Sequence, residues 1–171
     1  AHEQGAFLVL MVPLSQARAA EKALLERFPL AVCDIDDLLV GALAAEAATV
    51  GASWDRVMRA DGAEREGRDW GRLQQLVNSA VPRVIAALAE PERTILLTNP
   101  GLLARYDRLN VLEKLRDDIG RTGCAVHGLW VLVPCDEQHA LPMLHHRSIA
   151  VTSPAQWARI PEAWLRLHSP P

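Results

Sequence analysis

The densest run of potential chemistry is "CDIDD", Cys33 to Asp37. On an extended chain successive side chains alternate between faces, so Asp34 and Asp36 fall on the same side. Asp37 then stands at the head of an apolar, alanine-rich stretch. Two carboxylates so placed can bind a metal ion or exchange a proton. They equally suit a helix N-terminus, where the dipole favours acids. Asp36 is the best single candidate for a functional acid, because α/β domains place ligands at the carboxyl ends of their strands. A second polar tip lies in "TILLTNPGLL", Thr94 to Leu103, where a run of buried-strand character stops on Thr98 and Asn99. A hydroxyl and an amide cannot ligate Mg²⁺ as carboxylates do.

A third tip follows the first apolar run, in "VPLSQARAAEKAL". A loop that wraps phosphate needs glycines, so that backbone N–H groups can close on the anion, and a lysine beside a hydroxyl. No glycine stands between Met11 and Gly41, and Lys22 lies about two helical turns too deep. Ser15 and Arg18 are the polar groups left near the expected phosphate position. The candidate ligand-binding residues are therefore Ser15, Arg18, Asp36, Thr98 and Asn99. No catalytic residue, metal ligand or cofactor is assigned. Loss of the phosphate loop together with loss of the acids at the Thr98 tip points to a non-catalytic domain. The alternative is a small hydrolase or nucleotide-processing domain centred on Asp36, Thr98 and Asn99.

Other constellations read more simply. Cys124, His127, Cys135 and His139 have loosely finger-like spacings. The strand between the pairs would hold them roughly 20 Å apart. "HHR", His145 to Arg147, reads as a solvated cationic turn. Ser15, Asp36 and His127 or His139 could be assembled into a triad, but no nucleophile elbow supports it. Arginines 56, 59, 65, 68 and 72 are interleaved with Asp55, Asp61, Glu64, Glu66 and Asp69, so their charge cancels along the sequence. The formal net charge of the chain is -3, which supplies no global basic field for nucleic acid.

The elements that must position these groups follow from periodicity. The 171 residues are half hydrophobic and 23% charged, a globular composition sufficient for one domain. "AFLVLMVP" (Ala6 to Pro13) shows no alternation and reads as a strand covered on both faces. Ser15 would cap the helix that follows, over "LSQARAAEKALLERF". Strand two is Leu30 to Asp36. A long helical stretch comes next, with Gly51 as a C-cap and a kink at Pro82. "TILLT" is strand three, a helix ending near Gly120 follows, and "GLWVLVP" is strand four. "SIAVTSP" (Ser148 to Pro154) is strand five. The tail "AQWARIPEAWLRL" is a short helix broken near Pro161. On it Trp157, Ile160 and Trp164 either dock on their own core or anchor a partner.

Five short apolar strands separated by helices imply parallel crossovers and a single three-layer α/β/α sandwich over residues 1–171. A short first crossover, a long second, a medium third and a very short fourth resemble the core of P-loop ATPases, over roughly residues 6 to 154. That resemblance implies strand order 5-1-4-3-2, and a flavodoxin-like order 2-1-3-4-5 is the rival. Three cysteines at wide spacing do not form a disulfide framework. No apolar run reaches the ~20 residues of a membrane span, and the start lacks the basic flank of a signal peptide. A cytoplasmic fragment of a larger protein is expected.

"LLTNPGLLARYDRLNVLEKLRD", "GLWVLVP" and "SPAQWARIPEAWL" together resemble the C-terminal region of large proteins of the bacterial phage growth limitation (Pgl) and bacteriophage exclusion (BREX) systems. The Pgl serine/threonine kinase comes first in this resemblance and the ATPase component second. The kinase hallmarks, a Gly-rich loop, H-R-D and D-F-G, are absent, so no catalytic residue carries over. The resemblance implies phage defence as the setting. It implies, as partners, other domains of the same protein and other defence proteins.

Overall fold

A computed structural model describes residues 6–136 and 138–168. Its centre is a five-stranded parallel sheet built from β1 (Phe7–Val12), β2 (Ala31–Asp34), β3 (Ile95–Thr98), β4 (Leu129–Pro134) and a last short strand, Trp157–Arg159. In between lie α1 (Ala17–Arg27), α2 (Ile35–Thr49), α3 (Trp54–Asp61), α4 (Arg68–Ala89), α5 (Gly101–Arg105) and α6 (Asn110–Asp118). A two-stranded hairpin, β5 (Met143–Leu144) with β6 (Arg147–Ser148), precedes the last strand, which is therefore β7. The last element among the described residues is α7 (Glu162–His168).

The sheet runs β2-β3-β4-β1-β7. Numbered by the sheet's own five strands and read from the other edge, this is 5-1-4-3-2, the order of the P-loop ATPase core and not the flavodoxin-like one. The register carries one row of side chains across the sheet, Cys33–Leu97–Val131–Val9–Trp157. That row faces α2 to α6 and the larger core. The alternate positions, among them Leu10, Val12, Leu96 and Leu132, face α1 and α7 in a smaller core. Both faces of β1 are covered, which is why its sequence shows no polar alternation.

The fifth strand is displaced from its expected place. Ser148 to Pro154 does not join the sheet; β7 does, pairing with Val9–Met11 of β1. Ile149 and Val151 instead pack onto the larger core as an extended segment. Backbone there is satisfied in part by side chains: Thr152 N–H donates to Gln156 Oε1 at 2.7 Å and Ala150 C=O accepts from Arg116, while Ile149 N–H donates to Pro142 C=O at 3.0 Å. The tail is thus a strand and a helix divided at Pro161, not one broken helix. Ser15 does not cap α1 either. Leu14–Gln16 form a 3₁₀ turn, so the α-helix is capped at Gln16, with no side-chain hydrogen bond. α4 runs unbroken through Pro82, and Gly51, at φ 67°, closes α2 as expected.

Candidate functional site

Because all the strands run parallel, their carboxyl ends share one edge. Ser15 follows β1, Pro134 ends β4, Thr98 ends β3 with Asn99 next, and Asp34 ends β2. Asp36 lies not on the strand expected to reach it but in the first turn of α2, where Asp34 is the N-cap. β1 and β2 are three strand spacings apart, about 14 Å. Ser15 and Arg18 therefore share an edge with Asp36 and stand three strands away from it, outside the cleft that Asp36 lines. Both are exposed, and Lys22 pairs with Glu26 on the outer face of α1 at 3.9 Å.

The β3 tip turns inward. Asn99, held at φ 51° where an asparagine is tolerated, donates its amide to Asp34 Oδ2 at 2.5 Å. Asp34 Oδ1 caps α2 by accepting the Asp37 N–H at 3.1 Å. Thr98 is 6% exposed, and its hydroxyl reaches toward Cys33 C=O at 3.5 Å. Thr98 and Asn99 thus tie β3 to β2.

Asp36 is the carboxylate left over. Its Oδ1 accepts the Leu102 N–H at 2.8 Å. A methyl added at Gly101 would stand 3.4 Å from its Oδ2 and 3.5 Å from His145 Nε2, so all three groups meet at one point. Burial pushes the Asp36 carboxyl above its ordinary range, and the charges of Asp34 and Asp37 add to this. The Leu102 N–H and His145 oppose it. This corner opens into a cleft of ≈ 330 Å³ that Arg65, Arg105 and Arg147 also line. Arg105 is committed to Asp61 and Arg147 to Asp107. Arg65 lies over the Trp70 ring, 5.3 Å from its centroid.

Sequence reasoning placed Asp36, Thr98 and Asn99 on one edge and missed His145, Arg65 and Arg105. His145 and His146 form a two-residue hairpin turn with φ values of 46° and 64°. The turn read from "HHR" is there, although turns of that kind favour Asn-Gly, and what the sequence did not show is that it brings His145 to Asp36. The two Cys/His pairs stand before and after β4, at its opposite ends. Trp157 packs on the larger core and Trp164 on the smaller one, across the sheet from each other. Ile160 is 7% exposed and belongs to the smaller core.

The chain is similar to the probable kinase PglW of Streptomyces coelicolor. Identity is 28% over 121 residues, covering 66% of this chain and 8% of that protein. This distant, partial likeness agrees with the Pgl theme read from the sequence. It does not reach the ATPase component or the exclusion systems. No family model matches the chain, and no solved structure matches it. Among the described residues, no helix is long and apolar enough to cross a membrane.

Proposed function

We propose that this chain is a non-catalytic interaction or regulatory module, with the strand order of a P-loop ATPase, inside a bacterial phage-defence protein of the Pgl type. The observation that carries this reading is the Asn99 amide bound to Asp34 at 2.5 Å. It occupies the place where a nucleotide-hydrolysing domain presents free acids to a metal ion. The glycine-free turn after β1 supports it, since Leu14–Gln16 wind as 3₁₀ helix instead of opening backbone N–H groups toward an anion. The likeness to PglW supports the setting. The full-length protein would be a kinase, or less directly an ATPase, of a Pgl or BREX system. It would act in the cytoplasm with other defence proteins as partners, while this module binds neither membrane nor nucleic acid.

Titration calorimetry with ATP and Mg²⁺ tests the reading. No saturable heat is expected, and micromolar affinity would overturn it.

A second reading is kept alive by Asp36, whose raised carboxyl faces His145 in a cleft. It makes the domain a small hydrolase or nucleotide-processing domain, with Asp36 as acid or base. Under the preferred reading, Asp36→Asn leaves every assay of the full-length protein unchanged at equal stability. A hundredfold or greater loss of a hydrolytic activity, on the order expected for removing a general acid, would favour the second reading.

A further inference from the structure

We infer that the groove between α3 and α4 is the docking site for an acidic amphipathic helix of a partner protein. This rests on the interaction-module reading and gives that module its surface.

Along the sequence the arginines around α3 and α4 are cancelled by interleaved acids. The fold undoes that cancellation. Asp61 turns away to Arg105 and Tyr106, at 2.8 Å from each. Glu64 and Glu66 lie in the connection between α3 and α4, and neither they nor Asp55, in the first turn of α3, line the groove. What remains on its rim is Arg56, Arg59 and Arg72 against one carboxylate, Asp69. Asp69 stands 3.8 Å from Arg72, and both side chains are largely exposed. Arg56 and Arg59 make no ion pair among the described residues.

The floor is aliphatic. Val57, Leu73 and Leu76 line it, and Val50, at its α2 end, is 65% exposed. The groove encloses ≈ 560 Å³ between two helices. A floor of branched side chains under a guanidinium rim matches a helix with an apolar stripe flanked by carboxylates, which guanidinium groups can grip two oxygens at a time. Single-stranded nucleic acid would want aromatic stacking platforms, and no aromatic residue lines the groove.

The probe is a fluorescein-labelled helical peptide of about 16 residues, with leucines one helical turn apart and glutamates on either side. A second peptide carries lysine in place of every glutamate, and labelled oligothymidylate serves as the nucleic-acid probe. Fluorescence anisotropy follows binding to the full chain. The acidic peptide should bind saturably and weaken with salt, and the lysine peptide should not bind. The double variant Arg56→Glu, Arg59→Glu should lose about tenfold or more in affinity at an unchanged melting temperature. Met58→Glu, on α3 but outside the groove, should bind like the wild type.

Absent binding, equal binding of the lysine peptide, or indifference to the double variant would overturn the proposal. So would oligothymidylate binding more tightly through the same arginines. ATP binding would sink the non-catalytic reading and leave the groove standing. A silent groove in a chain that ignores ATP would sink the groove alone.

Discussion

Asp61 is the residue whose environment makes the sharpest solution prediction. Its carboxylate accepts from Arg105 Nε and Nη2 at 2.8 and 2.9 Å and from the Tyr106 hydroxyl at 2.8 Å. The Arg105 hydrogen bond holds the Asp61 carboxyl below its ordinary range. Burial, reinforced by Asp61, pushes the Tyr106 hydroxyl up to about 12. Tyr106 is the only tyrosine of the chain, so tyrosinate absorbance reports it alone. Its titration midpoint should lie near 12, and Asp61→Asn should bring it down toward the ordinary value of 10.0. A depressed carboxyl adds stability that is fully present above its unfolded pKa of 3.8 and is lost as pH falls through the lower folded value. Asp61→Asn should therefore cost about 1–2 kcal/mol at neutral pH, the lower end reflecting partial solvent screening. The gap in urea midpoint between variant and wild type should close at strongly acid pH. None of this was legible in the sequence. Asp61 and Arg105 are 44 positions apart, and Asp61 read as one more acid in a mixed-charge run.

At the scale of elements, the tail is where local pattern and tertiary pairing part. "QWARIPEAWL" spaces its apolar residues as a helix would, yet Trp157–Arg159 pairs in parallel with β1. A strand three residues long leaves little open edge for another chain to extend. Pro161 divides it from α7, so Ile160 and Leu165 fill the smaller core while Trp164 stacks on His168, ring centroids 4.6 Å apart. Ile160→Ala should cost about 2–4 kcal/mol by opening that core. Trp164→Ala, from a half-buried surface stack, should cost less. Denaturant unfolding of the two variants decides between this packing and a free docking tail, in which neither substitution would change stability.

For the molecule as a whole, the two cores are unequal. Five helices cover one face of the sheet and two cover the other, where Val32 and Phe28 remain 52% and 38% exposed. Phe28 sits edge-on to Trp130, centroids 5.1 Å apart, and so closes part of that thinner layer. The larger core anchors α4, whose outer surface walls the arginine groove. Arg83 of α4 binds Glu46 of α2 at 2.5 Å and ties the helical layer together. The groove and the Asp36 cleft thus both stand on the better-packed side, where a binding surface is held in shape by what lies beneath it.

The sequence by itself determined the first four strands, the burial of β1 on both faces and the parallel α/β class. Each is written in contiguous residues, as unbroken apolar runs and intervening helical periods. It also determined that the β1 turn lacks glycine and that β3 ends on a hydroxyl and an amide. Only the tertiary structure decided which tail segment became the fifth strand, because both candidates carry apolar residues and pairing with β1 accepts one of them. It alone committed Asn99 to Asp34, brought His145 to Asp36, and turned Asp61 away from the arginines of α3. These pairings join residues far apart in the chain. No local period records them, since they arise only when parallel strands bring their carboxyl ends to one edge and helices choose which face to bury.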